Sequence, residues 1–487
     1  MSYAAAVDHL YALGHELAPT TPSAPRRKFD LGHMRVLAGA LGDPQTAFPS
    51  VLIAGTNGKG STAATLASIL TVAGYRTGLY TSPHLVRVNE RIQIDGAQIG
   101  DEDFARLYFQ VDEAARHLVE AGDLPHPPSF FEVLTALAFL YFAGNKADTS
   151  NKTDPVDIAI LEVGLGGRLD ATNIVDPLLS IITDIALDHQ DYLGDTITEI
   201  TREKAGILRP HGTLITLPQH PEANQAIGEA AATLNLRAVS AVNFIPHLPP
   251  HPSHASTLDE LPVELSLPRN HYAVTLNGEP LEIDSPLAGH HQQRNIALAI
   301  AGAIELRNIH GYNLTGNDTT RNYGGYKITS AAIEAGIRST KWPGRLELIS
   351  FSEGPGLLLD VAHNPAGAWT LRAAIAQLPD SRPRTLLFSC LRDKDLKEMS
   401  QILFPLFDSS SDRPYDHILF APLDNPRAAS LDDLLAAARA LDIPALSAPD
   451  LAAALTLARD LTPPNGLIIA TGSVFLVGEI RHLSVQQ

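Results

Sequence analysis

"AGTNGKGSTAATL", residues 54–66, follows the apolar run "PSVLIAG" (49–55) and leads into a helical pattern, "GSTAATLASILTVAG" (60–74). A strand, a Gly-rich turn and a helix start bring backbone N–H groups and the positive end of a helix onto phosphate oxygens. In this frame Gly55, Thr56, Asn57, Gly58 and Gly60 form the cradle, and Lys59 supplies a mobile positive charge for the β- and γ-phosphates. Ser61 or Thr62 supplies a hydroxyl for Mg²⁺. The strict P-loop pattern G-x-x-x-x-G-K-[ST] fails twice, because Ile53 stands at the first glycine position and Gly60 follows Lys59. An ordinary glycine turn is the plain alternative, but it needs neither the lysine nor the hydroxyls. The stretch predicts a nucleotide-binding α/β domain with an unusual phosphate loop.

The same alternation spreads outward. "DIAILEVG" (157–164) and "LLSIITDI" (178–185) have the length and β-branching of buried parallel strands, and "FFEVLTALAFLYFAG" (130–144) reads as a helix packed on their sheet. Chemically loaded residues follow the last apolar position of each strand, the edge at which open α/β sheets place their ligands. The pattern then loosens. Residues 145–155, 245–256 and 308–326 are polar or Pro-rich and are expected to be surface insertions, while 263–291 alternates like short antiparallel strands around a "LNGEP" turn. A second βα alternation starts near residue 341, with strands "GLLLDV", "RTLLFSC", "HILFAPL" and "GLIIATG". The expected organisation is a central-type ATP-binding domain over 1–338, mostly parallel with a small antiparallel subregion, and a smaller Rossmann-like α/β domain over 341–487. A hinge near 336–345 would let the two close on substrates.

Composition narrows the function classes. The chain has 487 residues, 45% hydrophobic and 18% charged, an ordinary globular balance. Its formal net charge of −18 argues against a nucleic-acid surface, which needs Lys/Arg stripes to neutralise phosphates. The single cysteine, Cys390, excludes an intramolecular disulfide and fits a reducing compartment; in "TLLFSC" it reads as a buried packing residue. No stretch reaches ~18 uninterrupted apolar residues, so no membrane span is expected. The N-terminus lacks the marks of a signal or transit peptide. These observations predict a soluble, cytoplasmic protein.

Further chemistry follows the other strands. "YTSPHLVRVNERIQIDG" (80–96) places Ser82 and His84 after a short strand, with Arg87, Glu90 and Arg91 behind them; a solvated charged loop is the alternative. "AILEVGLGGRLDATN" (159–173) puts Glu162 at a strand end before a loop bearing Arg168 and Asp170, and a carboxylate there suits a Mg²⁺ that shares substrate phosphates. "TDIALDHQDYLGDTITEITREKAGI" (183–207) adds Asp188, His189 and Lys204, which singly would read as structural. "NKAD" (145–148) matches a guanine-reading tetrapeptide but ends a helical pattern instead of a strand, so guanine recognition is not expected. Lys59, Ser61, Ser82, Glu162 and His189 all follow strands of one sheet and are expected to converge on a nucleotide and its metals.

Eight segments in order, "GTNGKGS", "TSPHLVRVNERI", "LEVGLGGRLDATN", "LDHQDYLGDT", "REKAGI", "WPGRLE", "DVAHNP" and "ATGSVFLVGE", resemble the signatures of the folylpolyglutamate synthase/dihydrofolate synthase family of Mur-type ligases. The resemblance runs from about residue 30 to 480, and the family's loop has this same G-T-x-G-K-G-S form. It implies a Mur-ligase-type fold and ATP-dependent amide-bond formation. ATP phosphorylates a pterin carboxylate and the α-amine of L-glutamate attacks the acyl phosphate, with catalysis by positioning and electrostatics. The implied cofactors are ATP and two Mg²⁺ ions, with K⁺ a further candidate; the implied partners are dihydropteroate or a folate and L-glutamate, with no nucleic acid or membrane and a monomeric state. Carried over by position, Ser82, Glu162 and His189 match Mg²⁺ ligands beside Ser61, and Lys204 matches a lysine that some members carbamylate. Lys59, Lys204 and His189 are thereby the implied catalytic groups. Asn295 and Arg345 match contacts to base and phosphate, and Asp360 and His363 match the second domain's share of the ATP site; for Arg345 a hinge salt bridge is the alternative. Phe130 and Phe131 would flank the pterin or simply fill a helix core, next to Arg168 and Asp170. Lys394 and Asp395 would lie towards the glutamate.

Within the family, eukaryotic chain-extending enzymes tend to carry T-K-G-K-G-S, whereas this loop has Asn57, as dihydrofolate synthases and bacterial bifunctional enzymes do. The expected activity is therefore dihydrofolate synthase, of eukaryotic, fungal type, with an extending or bifunctional enzyme as the alternative. Cell-wall Mur ligases carry a sugar-nucleotide domain before the loop, for which the ~50 preceding residues are too few. A non-catalytic nucleotide switch would need none of the metal ligands.

Overall fold

The computed structural model describes residues 2–14, 30–144, 153–246, 267–309, 311–316, 319–378, 382–410 and 413–485. The "NKAD" tetrapeptide and most of two expected insertions, 145–152 and 247–256, lie outside them. The chain packs as two compact units, Met1–Val242 with Asn295–Thr340, and Asn243–Arg294 with Lys341–Gln487.

The first unit is built on strands β1 (Ser50–Ala54), β2 (Thr77–Tyr80), β3 (Ile92–Ile94), β4 (Ala97–Gln98), β5 (Ile158–Glu162), β6 (Leu179–Ile182), β7 (Thr213–Thr216) and β8 (Arg237–Ser240). They form one sheet in the order β4-β3-β2-β5-β1-β6-β7-β8. The six strands from β2 to β8 run parallel, and β3 and β4 add an antiparallel edge. Every residue of β1 and β5 is buried, as expected of a parallel sheet covered on both faces. Its helices are α1 (Tyr3–Ala12), α2 (Leu31–Ala40), α3 (Lys59–Val72), α4 (Asp101–Ala121), α5 (Phe130–Ala143), α6 (Gln190–Leu193), α7 (Ile197–Ala205) and α8 (Pro221–Thr233). The aromatic side chains of Phe104, Tyr108, Phe139 and Phe142 from α4 and α5 fill the core on one face.

The hairpin β9 (Asn270–Leu276) and β10 (Glu279–Ser285) confirms the predicted turn: Asn277 and Gly278 both have positive φ, 53° and 85°, as a two-residue hairpin turn requires. This segment packs with the second unit, although the sequence reading keeps it with the first. Leu267 and Ala288 flank the hairpin and join the core around Leu346 and Leu358, a side-chain contact that chain order does not reveal. Helix α9 (His291–Arg307), the hairpin β11 (Gly311–Gly316) and β12 (Thr319–Gly324), and α10 (Ser330–Arg338) follow. Strands β13 (Glu347–Ile349), β14 (Gly356–Leu359), β15 (Arg384–Phe388), β16 (His417–Phe420), β17 (Leu446–Ser447) and β18 (Leu467–Thr471) form the second sheet, ordered β13-β14-β18-β15-β16-β17. Only the edge strand β13 is antiparallel. Helices α11 (Pro365–Ile375), α12 (Leu396–Leu403), α13 (Leu431–Arg439), α14 (Leu451–Leu461) and α15 (Val474–Val485) complete it. Among the described residues no helix is long and apolar enough to cross a membrane.

Helix α3, which begins at the phosphate loop, is braced by α10 at very close range. Ser68 Oγ donates to the Gly336 carbonyl at 2.7 Å, and a Cβ on Gly336 would lie 2.4 Å from Ile69 Cα. Any side chain there must push the two helices apart. Gly336→Val is expected to destabilise the protein by about 2 kcal/mol or more in urea unfolding; an unchanged midpoint would show that α10 does not brace α3.

Candidate functional site

The carboxyl ends of β2, β5, β1 and β6 lie side by side in the sheet. Glu162 ends β5, and Ser82, Lys59 with Ser61, and His189 follow β2, β1 and β6 in the chain, so four separate stretches of sequence reach one sheet edge. This is where a doubly wound sheet opens a crevice.

The loop after β1 is tied down from below. Thr56 and Asn57 donate their backbone N–H groups to the Asp184 carbonyl at 2.9 and 3.1 Å. Thr56 Oγ1 both donates to the Ala186 carbonyl and accepts from the Ala186 N–H, at 3.0 and 3.1 Å. Lys204 Nζ, buried on α7, donates to the Gly55 carbonyl at 2.9 Å. Gly58 starts α3 with φ of 89°, and a Cβ there would lie 2.2 Å from Asn295 Oδ1. Asn295, at the buried face of α9, therefore closes over the glycine as closely as the backbone allows.

The charge at this helix start is of the unusual sign. Helix N-termini favour acidic side chains or polar caps. Helix α4 carries Asp101, Glu102 and Asp103 in its first turn, and α5 and α7 have complete capping boxes. Helix α3 has no side-chain cap and no acid; it opens with Lys59. Its first-turn N–H groups and a lysine thus point positive charge at one place, an arrangement suited to an incoming polyanion. Lys59 Nζ meanwhile donates to the Thr56 carbonyl at 3.2 Å.

Glu162, at the end of β5, is 4% exposed, and its Oε2 accepts the Ser82 backbone N–H at 3.1 Å. His189 takes the left-handed conformation, φ 52° and ψ 38°, at the start of α6, a backbone state uncommon outside glycine. Its backbone N–H donates to Asp188 Oδ1 at 2.9 Å. Among the described residues no three His, Cys, Asp or Glu side chains group tightly enough to enclose a metal. One carboxylate, the hydroxyls of Ser61 and Ser82 and an imidazole do fit Mg²⁺, which binds through one or two carboxylates and completes its shell with water and substrate phosphate.

The loop between Thr81 and Arg91 is organised by Glu90, whose carboxylate accepts the N–H groups of Leu85, Val86 and Arg87 at 2.7, 3.0 and 2.8 Å. Arg91 is 3% exposed; its Nε–H donates to His84 Nδ1 at 2.8 Å, and its guanidinium lies 5.4 Å from the Phe130 ring centre. An arginine only donates, so His84 Nδ1 must accept and the ring proton sits on Nε2, facing Tyr11 Oη at 3.1 Å. Burial first and the Arg91 charge second hold the His84 imidazole well below its usual range, and it stays neutral. Phe130 is buried against Tyr11, with ring centres 5.6 Å apart, and Phe131 lies 5.9 Å from Tyr80.

Asp170 is a structural anchor for its loop. It accepts from Leu165 N–H at 3.0 Å and from the Thr172 N–H and hydroxyl at 3.0 and 2.5 Å. Burial raises its pKa against the pull of these bonds. Arg168 donates to Glu203 Oε1 through two nitrogens at 3.1 and 2.9 Å, which pins the loop to α7 beside Lys204.

In the second unit, the Asp360 carboxylate accepts from the Leu346 and Ala362 N–H groups at 2.9 and 3.0 Å. Burial raises its pKa, and Arg345 is the first influence that opposes this. His363 Nδ1 donates to the Val361 carbonyl at 2.8 Å. Arg345 lies 6.0 Å from the Trp342 ring centre. Asp395 caps α12 by accepting the Glu398 N–H at 2.9 Å, while Lys394, Arg392 and Lys397 rim a groove of about 510 Å³ beside α12 and α13. Cys390 is fully buried, and its thiol pKa is pushed up to about 12, chiefly by burial, which suits a packing residue.

The sequence reading missed Asp184, which acts through its backbone carbonyl, and Thr183, whose hydroxyl would lie 1.8 Å from a Cβ on Gly55, and it missed Tyr3 and Tyr11. None of these carries a motif signal. Gly58→Ala combines a strained φ with a clash on Asn295. It is expected to weaken ADP binding at least ~10-fold in calorimetric titration, and wild-type affinity would show that the loop is not shaped by this contact.

Residues 144–303 match the Mur ligase middle domain, and residues 344–474 match the Mur ligase glutamate ligase domain. The chain is 34% identical over 460 residues to the dihydrofolate synthase/folylpolyglutamate synthase of Bacillus subtilis, covering 93% of this chain and 94% of that one. It is 32% identical over 340 residues to a probable dihydrofolate synthetase of Schizosaccharomyces pombe, covering 69% and 70%. Among solved structures, Escherichia coli FolC in complex with DHPP and ADP superposes with a TM-score of 0.77 at 28% identity, over 100% of this chain and 98% of that one. Mycobacterium tuberculosis folylpolyglutamate synthase complexed with ADP and AMPPCP gives 0.78 at 29%, over 99% and 98%. With its phosphate loop, its paired α/β units and these full-length likenesses, the chain belongs to the dihydrofolate synthase/folylpolyglutamate synthase family of Mur ligases, ATP-dependent enzymes that join glutamate to folate compounds.

Proposed function

We propose that this enzyme adds the first L-glutamate to dihydropteroate, a dihydrofolate synthase reaction. The observation that carries this choice is Asn57 in the phosphate loop, where extending enzymes of eukaryotes tend to carry lysine. The S. pombe relative's name agrees with it. A second reading, in which the same site also extends the glutamate chain, is favoured by the B. subtilis relative, whose name joins both activities and which matches nearly end to end.

In the first step a carboxylate oxygen of dihydropteroate attacks the γ-phosphorus of ATP, and ADP leaves. In the second the glutamate α-amine attacks the acyl carbon, inorganic phosphate leaves, and the amine loses a proton. The first-turn N–H groups of α3 and the Lys59 ammonium hold the phosphates and offset the charge of the phosphoryl group in transfer. Asn295 packs on Gly58 and keeps the loop from collapsing onto the site. Mg²⁺, held by Ser61, Ser82, Glu162 and His189, would screen the phosphate oxygens when bound. Glu162 also orients the Ser82 backbone, so its loss would disturb the metal side and the Ser82 loop together. Lys204, already directed at the Gly55 carbonyl, would bring a carboxylate beneath the loop if carbamylated.

Purified protein with ATP, Mg²⁺ and radiolabelled glutamate is expected to label dihydropteroate. Labelling of tetrahydrofolate alone would overturn the choice of substrate, and labelling of both would select the bifunctional reading. Lys59→Ala and Glu162→Ala are each expected to lower kcat ~100-fold or more with the unfolding midpoint little changed; wild-type turnover in either sinks that assignment. Chelation of Mg²⁺ is expected to abolish turnover reversibly. Intact mass after CO₂ trapping is expected to show one added carboxylate that Lys204→Ala lacks; an active enzyme without it removes the carbamate.

A further inference from the structure

We propose that Tyr3 and Tyr11 of helix α1 are positioning residues for the ligase reaction, holding the loop from Thr81 to Arg91 at two points through their hydroxyl groups. Helix α1 is itself firmly seated. Ala6 and Leu10 are fully buried, and the Tyr3 ring meets Phe104 edge-on at 5.5 Å. From this base Tyr3 Oη donates to Asn89 Oδ1, while the Asn89 amide nitrogen donates to the Ile99 carbonyl at 2.8 Å and to Asp101 Oδ1 at 3.1 Å. At the other end Tyr11 Oη takes the Nε2–H of His84, whose Nδ1 receives Arg91. The Tyr11 ring also backs Phe130, over which Arg91 lies, so Tyr11, His84, Arg91 and Phe130 form a closed ring of contacts.

Tyr11 follows Tyr3 by eight positions, about 12 Å along a helix. The loop is also held at Ser82 by Glu162 and at Asn89 by Ile99 and Asp101, and the two hydroxyls add attachments from α1 at widely spaced points. The loop begins next to the Glu162 contact at Ser82 and ends at Arg91, so its orientation sets both. Glu90 holds the internal shape of the loop through three backbone bonds, and Arg87 lies over the Tyr3 ring, 5.3 Å from its centre, a contact that a phenylalanine ring keeps. The tyrosine hydroxyls therefore act on where the loop sits, not on whether it folds. The inference rests on the ligase reading for its substrate, a pteroate, and goes beyond that reading in giving α1 a task in the reaction.

Tyrosine-to-phenylalanine exchange removes the hydroxyls and keeps the rings. In the full chain, Tyr3→Phe/Tyr11→Phe is expected to leave Tm within a degree or so and the KM for ATP within about twofold. The KM for dihydropteroate should rise about five- to tenfold, and backbone amides of 81–91 should exchange with deuterium several-fold faster, each single variant lying between. Unchanged loop exchange with unchanged KM for dihydropteroate would overturn the proposal. So would a fall in Tm accompanied by equal losses for all substrates, which would assign the tyrosines to the fold alone. Faster loop exchange in a protein whose wild type glutamylates no pteroate would instead defeat the functional reading and leave the two-point attachment standing.

Discussion

A helix that begins with a lysine and no cap is the constraint around which the first unit is arranged. Left alone, the start of α3 sets the Lys59 charge against the positive end of the helix dipole, which disfavours the folded state. The surrounding structure holds it there by force of packing. Asp184 ties two loop amides, Asn295 closes over Gly58, and Gly336 lets α10 press against the helix backbone. These contacts combine backbone hydrogen bonds with close approaches that only glycine permits. They fix the donors of the loop in place, and fixed donors are what electrostatic catalysis of phosphoryl transfer requires.

The rest of the sheet edge follows from strand order. Because β5 lies between β2 and β1, Glu162 emerges between the Ser82 loop and the phosphate loop. Its buried carboxylate accepts the Ser82 backbone N–H, while Ser61, Ser82 and His189 follow β1, β2 and β6 in the chain. Such a sparse donor set would suit a magnesium ion that keeps most of its water and shares phosphate oxygens. In the same way Asp170 and Arg168, which look like substrate contacts in the sequence, are engaged by Thr172 and Glu203 and shape the loop after β5.

The second unit repeats the logic on a smaller sheet. Asp360 follows β14 and accepts two backbone N–H groups, His363 bonds the Val361 carbonyl, and Asn364 caps α11. Asp395 likewise caps α12.

Sequence alone determined the local pieces: the phosphate loop and its helix, the buried strands of both sheets, the Asn277–Gly278 hairpin and the ordered motifs that mark the ligase family. These are legible because period, β-branching, glycine and capping residues act over a few positions along the chain. Tertiary structure decided what depends on residues far apart. The segment around β9 and β10 joins the second unit because Leu267 and Ala288 find that core. Lys204 reaches Gly55 across 149 positions, and Tyr11 reaches His84 across 73. Asn295 gains its place only because Gly58 lacks a side chain. Hydrogen bonds and close packing of this kind leave no periodicity in the chain, since their partners are chosen by the fold and not by spacing.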